Sequence, residues 1–419
     1  MKNKFLILIF GIFIFILLIN LISSTTLSFG NRTFSVNTCL YGEVTDYDTI
    51  YVNGSGTLHI CPFNGTAKTG WANISLGNNG NFTVATGGIV NGSGGGGLGG
   101  TSVTSACAYQ GDDGSSSTIG GIACTANGGG AGGGSDGSSN AESGAGGGGG
   151  FGGTGGLGGK SLNTGTQGAA GGSYGTANGQ TLFFGSGGGG QSGDSAAVGL
   201  GKQGGGGIKI NAGAGIIYIQ GIINFSGIQG AAGDTGDDSA GGSGSGGHVI
   251  LFAKNLNLNS GKIFATGARG GAAGTGVSSD SCGGGGGGGG RILYVYESIS
   301  QTSLVNSSDG GPWGTAANSG CNFTNSTGFK ATSGNNGTVF YNSTTWPADT
   351  CTAPGSGNWD ITCSDACVWT TNSVIPANVT TTGVGILTLN ANFTFTGTKQ
   401  YIFINRGCNW SINRGGGFR

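Results

Sequence analysis

Short runs of β-branched and aromatic residues recur along the middle of the chain, separated by Gly or by Asn-Ser pairs. Residues 208–210 (Ile-Lys-Ile) are followed by 216–219 (Ile-Ile-Tyr-Ile) and 222–225 (Ile-Ile-Asn-Phe). Residues 249–252 (Val-Ile-Leu-Phe) begin a second set, and 291–296 (Arg-Ile-Leu-Tyr-Val-Tyr) follow the longest glycine run. Runs of this length and composition are typical of β-strands. The pattern predicts an all-β chain after its N-terminus.

The predicted strands repeat in groups of three. Residues 208–227 form three strands joined by glycine turns and followed by a glycine block, and residues 249–267 follow the same pattern. A third copy lies upstream at 74–92, and placing His248 opposite Ile208 gives a repeat of 40 residues. Since no copy can bury its apolar face alone, parallel stacking of the copies would bury a continuous core. The sequence therefore predicts a parallel β-helix, or β-solenoid, for which we expect a right-handed coil.

Glycine makes up 101 of the 419 residues, mostly between Gly92 and Gly290. Because glycine loses the most backbone entropy on ordering, such a stretch is either a disordered tether or an architecture that uses the missing side chain. The regular glycine spacing and abundant proline of collagen are absent, and interrupting strands argue against a simple flexible linker. We expect the glycine to form insertions at about 92–206, 227–247 and 267–290, at one corner of each solenoid turn.

Two features of this repeat carry a resemblance to known proteins: three-strand units end in glycine blocks, and a last block leads into Arg-Ile-Leu-Tyr at 291–294. They resemble the glycine-rich β-helix surface proteins of microbes, and glycine-rich extracellular domains whose polyglycine segments pack as polyproline-II-like helices. The resemblance covers about residues 54–345 and implies a fold and a location rather than an activity. It also implies that glycine segments bond to one another, because polyproline II chains make no internal hydrogen bonds. Mobile glycine loops on a β-helix are the alternative.

The N-terminal residues predict export. Residues 5–22 are almost purely Phe, Ile and Leu, and Lys2 and Lys4 precede them. Positive charge before an apolar run keeps the N-terminus in the cytoplasm and sends the following chain across the membrane. Residues 1–24 are therefore predicted to be a signal peptide or a helical N-terminal membrane anchor. Residues 5–22 would hold the chain in the cytoplasmic membrane if they are not cleaved.

Sequons are frequent, which agrees with an extracellular or cell-surface location. The candidate glycosylation sites are Asn31, Asn53, Asn64, Asn73, Asn81, Asn91, Asn224, Asn306, Asn322, Asn325, Asn336, Asn342, Asn378, Asn392 and Asn409. Chance alone would produce several of them in a chain so rich in Asn, Ser and Thr. Plain polar surface or stacked asparagine ladders are the alternative interpretation.

The cysteines predict disulfides, and therefore an oxidising compartment. The ten candidates are Cys39, Cys61, Cys107, Cys124, Cys282, Cys321, Cys351, Cys363, Cys367 and Cys408. Proximity in the sequence favours Cys39–Cys61, Cys107–Cys124 and Cys282–Cys321, with one more pair among Cys351, Cys363 and Cys367. Zinc is disfavoured, because Cys363 and Cys367 have no second pair of ligands in a chain with two histidines.

The C-terminal residues resemble an earlier part of the chain. Residues 379–389 match the apolar pattern of residues 50–60, and both lead into an Asn-Phe-Thr strand. The sequence thus predicts a solenoid over 25–350 and the start of a second, truncated solenoid unit over 351–419.

The low charge and the placement of the acids disfavour nucleic-acid binding and glycoside hydrolysis. Charged residues are 8% of the chain and the net charge is −1, so the basic footprint of a nucleic-acid-binding protein is missing. The acids lie mainly in predicted loops, whereas glycoside hydrolysis needs a pair held across one groove. His248 opens a predicted strand, where we expect a stacking or edge role. We expect no catalytic residue, cofactor or metal.

These features together predict an exported structural or adhesive protein of the cell surface. It would bind cell-surface glycans or other surface proteins through a repetitive β-solenoid face. A carbohydrate-active β-helix enzyme, either a polysaccharide hydrolase or a lyase, is the alternative. Binding of an ordered surface such as ice or crystalline polysaccharide is a third possibility, and it would require regularly spaced Thr or Asn side chains.

Overall fold

All the elements assigned in the computed structural model are β-strands. The structure describes residues 31–34, 38–45, 47–64, 69–77, 80–100, 144–160, 167–191, 199–233, 239–274, 281–315, 330–344, 351, 353–354, 356–363, 367–382, 385–396, 400–404, 406, 408–413 and 416–418. Within these ranges, no helix is long and apolar enough to cross a membrane. The predicted helix within residues 1–24 lies outside them, so signal peptide and anchor both remain predictions.

Sixteen strands lie between residues 31 and 343 of the described chain. They are β1 (Asn31–Phe34), β2 (Thr38–Leu40), β3 (Gly42–Val44), β4 (Thr49–Val52), β5 (Thr57–Ile60), β6 (Trp71–Ser75), β7 (Phe82–Val84), β8 (Ile89–Asn91), β9 (Gly207–Ile219), β10 (Ile222–Asn224), β11 (His248–Asn257), β12 (Lys262–Phe264), β13 (Arg291–Tyr296), β14 (Ser298–Ser300), β15 (Val305–Ser307) and β16 (Thr338–Ser343).

These strands form three stacks, in which all the pairings are parallel. The first stack runs β3-β6-β9-β11-β13-β16 and uses the N-terminal parts of β9 and β11. The second runs β1-β4-β7-β9-β11-β14 and uses their C-terminal parts. The third runs β2-β5-β8-β10-β12-β15. The chain visits the three stacks in one cyclic order, which confirms the predicted all-β, parallel arrangement.

The core lies between the three stacks. Because side chains alternate across a strand, every second residue points inward. Ile74 pairs with Ile210 in the first stack, Phe82 with Ile217 in the second, and Val90 with Ile223 in the third. Each of these six side chains is fully buried in one continuous cluster. The upstream copy of the repeat is thus confirmed as β6, β7 and β8.

The predicted register is wrong by one residue at the start of the repeat. His248 pairs with Gly207, and Val249 with Ile208, so the offset there is 41 residues rather than 40. Irregularities between Phe252 and Asn255 then change the offset to 39 residues. A slip of one residue would have turned Ile208 or Val249 away from the core, since alternate residues face opposite sides.

Between the strands, glycine-rich segments pack as ordered layers. Four outgoing segments (92–100, 225–233, 265–273 and 308–315) directly follow strands of the third stack. Four return segments (199–206, 239–247, 281–290 and 330–337) lead directly into strands of the first stack. Further segments at 144–160 and 182–191 hydrogen-bond to the return segments.

Backbone hydrogen bonds in these layers repeat every three residues. Along the return segment 281–290, the amides of 284, 287 and 290 donate to residues 271, 268 and 265. Those of 285 and 288 donate to 146 and 149, and those of 286 and 289 to 332 and 335. One segment therefore bonds to three different neighbours in turn. Three residues per turn is also the period of polyproline II.

The layers require glycine because neighbouring backbones lie where a side chain would begin. A Cβ added to Gly286 would overlap the carbonyl oxygen of Gly311, and one added to Gly287 would overlap that of Gly244. A Cβ on Gly288 would overlap the oxygen of Gly153. Three successive glycines thus face three different segments, and none has room for a methyl group.

Nine more strands lie between residues 359 and 418 of the described chain. They are β17 (Trp359–Thr362), β18 (Val368–Trp369), β19 (Ser373–Ile375), β20 (Val379–Thr382), β21 (Gly385–Leu389), β22 (Asn392–Phe395), β23 (Ile402–Ile404), β24 (Cys408–Ile412) and β25 (Gly417–Phe418). They form three parallel sheets, β17-β20-β23, β18-β21-β24 and β19-β22-β25. Trp359, Trp369 and Phe393 pack together in the core between them.

The disulfides confirm two of the four pairs expected. Cys39–Cys61 is confirmed, and Cys351–Cys367 is the pair formed among the three C-terminal candidates. Cys363 bonds to Cys408, a pairing that sequence proximity does not suggest. Cys282 is also disulfide-bonded, while its expected partner Cys321 and the pair Cys107–Cys124 lie outside the described residues. Disulfides persist in oxidising compartments, in keeping with the predicted export.

The glycine layers predict a strong position dependence for glycine-to-alanine substitution. Gly287→Ala forces a methyl group onto the Gly244 carbonyl, so we expect a loss of about 1–3 kcal/mol or more in the free energy of unfolding. Gly417→Ala is the matched control, because its nearest neighbour would be the Asn392 Oδ1 atom at 3.7 Å. Urea unfolding followed by circular dichroism measures both. Equal stability of the two variants would contradict the close packing of the layers.

Candidate functional surface

Three of the outgoing glycine segments, 225–233, 265–273 and 308–315, turn one side chain in every three towards the outer surface. Gln229, Arg269 and Pro312 are neighbours across this layer, because the amides of Gly230 and Gly270 donate to the carbonyls of Arg269 and Pro312. All three side chains are exposed. The same period places further residues on this surface, three residues before and after them. These residues are Ser226, Thr266 and Asp309 on one side, and Ala232, Ala272 and Thr315 on the other.

Where strands pass into glycine segments, hydroxyl and amide groups bond across the layer. The Oδ1 atom of Asn224 accepts hydrogen bonds from the Ser226 amide at 3.2 Å and the Ser226 hydroxyl at 2.8 Å. The Thr266 hydroxyl donates to the Ser226 hydroxyl at 2.9 Å, and the Ser93 hydroxyl donates to the Ser226 carbonyl at 3.1 Å. These contacts fix the side chains of three successive outgoing segments.

The third stack continues this surface. Its outward row contains His59, Asn91, Asn224 and Phe264, which are register partners on β5, β8, β10 and β12. All four are half-buried. We call this row, together with the exposed row residues of the outgoing segments, the display face. One half of the display face consists of strand residues and the other half of residues from the glycine layers, and it mixes polar side chains with a few apolar ones.

The candidate glycosylation sites occupy different environments. The nitrogens to which a glycan would attach are already hydrogen-bonded in Asn73, which donates to Glu43, and in Asn306, which donates to Tyr341. Asn64, Asn81, Asn336 and Asn409 are exposed, and Asn53, Asn91, Asn224, Asn342, Asn378 and Asn392 are half-buried. Asn322 and Asn325 lie outside the described residues, as does the Asn31 side chain. Glycosylation of all fifteen stays a prediction.

A buried aromatic and cationic cluster fixes a chain segment over the outer face of the first stack. We call Phe151, Tyr174, Phe183, His248 and Arg291 the clamp. Arg291 pairs with His248 in register, and its Nη2 atom donates to the Tyr174 carbonyl at 2.9 Å. The Arg291 guanidinium also lies 5.4 Å from the centre of the Phe151 ring. The clamp therefore joins the strands to the glycine segments at 144–191.

His248 has the stacking role expected of it and is held neutral. Its ring lies parallel to that of Phe183, and its Nδ1 atom accepts a hydrogen bond from the Phe183 amide at 3.3 Å. Burial, followed by the positive charges of Arg291 and Lys209, lowers the pKa of His248 from 6.5 to about 3. Its buried Nε2 atom has no hydrogen-bond partner among the described residues. These features suit a packing role.

The five described acids lie on different elements of the chain, and Asp48 lies just before β4. Glu43 bonds to Asn73, Glu297 lies 3.8 Å from Lys254, and Asp309 accepts from Ser307. Asp360 lies on β17 in the other group of strands. Among the described residues, no three His, Cys, Asp or Glu side chains come together as a metal site.

Comparison of the chain with protein-family models, curated proteins and solved structures gave no match. The chemistry of the display face and the clamp is therefore derived from their geometry alone.

Sequence reasoning found the strands that carry the display face but missed the clamp. Phe151 and Tyr174 lie far from Arg291 in the sequence, within the longest glycine-rich insertion. One signal was present, since Phe151 and Tyr174 are isolated aromatic residues in a glycine-rich stretch and Phe183 belongs to a short apolar run, 182–184. A large apolar side chain in such a segment indicates a contact with something other than a glycine layer.

The clamp predicts an acid-dependent loss of stability. The pKa of His248 is about 3 in the folded protein and ordinarily 6.5. Between pH 3 and pH 6.5, His248 is therefore protonated in the unfolded chain but not in the folded protein, which favours unfolding. The stability of the folded protein is therefore unaffected by His248 protonation above about pH 6.5, and it falls progressively as the pH drops from 6.5 towards 3. We expect His248→Gln to flatten this part of the curve of unfolding free energy against pH, measured by urea unfolding.

A matched control comes from the other histidine of the chain. His59→Gln removes an imidazole from the display face and leaves the clamp intact, so the pH dependence that arises at His248 should remain. A His248→Gln variant with the pH dependence of the unchanged protein would contradict a buried, neutral His248.

Proposed function

We propose that this chain is an exported structural or adhesive protein of the cell surface, built on a right-handed β-solenoid with polyglycine-II-like layers. The cyclic order of the three parallel stacks supports the solenoid, and the three-residue hydrogen-bond period supports the layers. The disulfides support an extracellular environment. Its activity is binding through the display face.

The observation that carries this proposal is the regular outward spacing of side chains on a layer of hydrogen-bonded backbone. In the outgoing segments 225–233, 265–273 and 308–315, two residues of every three face other segments and the third faces outward. Binding through these side chains costs rotamer entropy but little backbone entropy, because the backbone beneath them is already fixed. A repeated, rigid surface suits an extended ligand with repeated units.

The chemistry of the display face favours glycans over a regular crystal surface. Its rows mix residue types, since Gln229, Arg269 and Pro312 occupy equivalent positions and Ser226 and Thr266 share another. Ice or a crystalline polysaccharide would be matched by one residue type at a constant spacing. Hydroxyl, amide and guanidinium groups beside small apolar residues instead suit the hydroxyls and C–H faces of soluble or cell-bound glycan chains.

A triple variant tests the display face. Gln229→Ala, Arg269→Ala and Thr315→Ala together remove three exposed side chains without disturbing a glycine of the layers. We expect the full chain to bind a glycan array and whole cells about tenfold or more weakly, a loss of about 1.4 kcal/mol or more in binding free energy. Intact-cell surface labelling of the same chain tests the proposed location.

The control variant removes one Gln, one Thr and one basic residue elsewhere. Lys254→Ala, Gln301→Ala and Thr302→Ala lie away from the display face, on β11 and at the corner before β15, and should bind like the unchanged protein. Equal binding by both triple variants, or no binding at all by the unchanged protein, would overturn the display-face proposal. Release of shortened polysaccharide would favour the hydrolase or lyase instead.

A further inference from the structure

A cleft lies at the end of the display face, where the first glycine segment leaves the third stack. It measures about 330 Å³ and is open to solvent, within the size range of small-ligand sites. Its lining includes Cys39, His59, Pro62, Asn91 and Ser93. Cys39, His59 and Asn91 are register partners on β2, β5 and β8, so the cleft continues the outward row of the third stack.

The wall of the cleft is held in place by three separate links. The Cys39–Cys61 disulfide joins β2 to the segment that follows β5. The Cys61 amide donates to the Leu40 carbonyl at 2.9 Å, and the Phe63 amide donates to the Gly95 carbonyl at 3.0 Å. The chain around Pro62 is therefore fixed both to the strands and to the first glycine segment. A site of this kind is preorganised, which lowers the entropy cost of binding.

The polar groups of the cleft offer both hydrogen-bond donors and acceptors. The Oδ1 atom of Asn91 accepts from the Ser93 amide at 3.0 Å, which leaves its amide nitrogen available to donate. The Ser93 hydroxyl donates to the Ser226 carbonyl, so its oxygen can accept. Neither nitrogen of His59 has a hydrogen-bond partner among the described residues, so both ring nitrogens are available to hydroxyl groups of a ligand.

The remaining surface of the cleft is apolar. Pro62 and the Cys39 side chain provide it, and the described residues that line the cleft include no Asp, Glu, Lys or Arg. An apolar floor with a few convergent polar groups matches a sugar ring, which presents C–H groups on its faces and hydroxyls at its edge. The described lining is uncharged, which favours an uncharged sugar over an acidic one.

We infer that this cleft is a subsite for one or two neutral sugar units, at the end of the glycan-binding display face. The inference rests on the proposed function, because it assigns the sugar class and the place where a glycan chain would be anchored. His59, Asn91 and Ser93 bind sugar hydroxyls, while Pro62 and the disulfide contact the ring. It follows that Asn91 carries no N-linked glycan in the binding form, although it lies in a sequon.

The two histidines of the chain make a direct test possible. His59 lines the cleft, whereas His248 is buried in the clamp, so only His59 should react with diethyl pyrocarbonate in the folded full chain. The probes are neutral tetrasaccharides of glucose, galactose, mannose and N-acetylglucosamine, each added separately. We expect at least one of them to protect His59 several-fold from modification, measured by mass spectrometry. An uncharged polyol of similar size should give no protection.

Variants then separate this inference from the proposed function. We expect His59→Ala and Asn91→Ala each to weaken tetrasaccharide binding about tenfold, while Thr57→Ala, on the same outward side of β5, leaves it unchanged. The buried His248 resonance in the NMR spectrum reports whether each variant is folded. The display-face triple variant should keep tetrasaccharide binding and lose affinity only for long glycans.

Each outcome decides one of the two proposals. If no tetrasaccharide protects His59 but long glycans still depend on Arg269, the cleft inference is wrong and the display face stands. If His59 is protected and its substitution removes binding, while the display-face triple variant binds long glycans normally, the cleft stands and the wider face is wrong. Protection by charged sugars alone would overturn the assignment to neutral saccharides.

Discussion

The structure depends on one constraint, which is that buried peptide groups must find hydrogen-bond partners. In the three stacks the parallel ladders satisfy them. Outside the stacks, return segment 281–290 satisfies its amides by bonding to three different segments in rotation. That arrangement brings backbones so close that a Cβ at Gly286, Gly287 or Gly288 would overlap a neighbouring carbonyl. Glycine is therefore required by contact, despite its entropic cost on ordering.

The stacks and the glycine layers support one another. Each outgoing segment begins where a strand of the third stack ends, and each return segment leads into a strand of the first stack. Strand register therefore sets the register of the layers, which carry almost no side-chain information of their own. The clamp adds a second connection, because Arg291 on β13 holds the carbonyls of Tyr174 and Gly175. In the clamp, aromatic side chains replace glycine where the segment contacts the strands rather than another glycine segment.

The sequence predicts the strands well because their information is local. The runs that became β9, β10, β11 and β12 are visible as apolar alternation, and so is their repeat. The one-residue error at His248 arose because irregular pairing between Phe252 and Asn255 changes the offset inside a single strand. Which segments pair within the layers, and which strand the clamp residues contact, could not be predicted for another reason. Gly285 bonds to Gly146, and Arg291 lies over Phe151. Both contacts join segments far apart in the sequence, and a run of identical glycines does not specify which distant segment it will pack against.

The Asn-x-Ser triplets illustrate how one pattern serves two chemistries. Asn53, Asn91 and Asn224 each accept a hydrogen bond from the amide two residues later, an Asx turn that redirects the chain at the end of a strand. The turn uses the side-chain oxygen and leaves the nitrogen free, so it is compatible with glycan attachment. Asn73 and Asn306 differ, because their nitrogens donate to Glu43 and Tyr341. At Asn53, Asn91 and Asn224 the sequon is therefore also a turn signal, and at each sequon the partner of the asparagine nitrogen decides whether a glycan can attach.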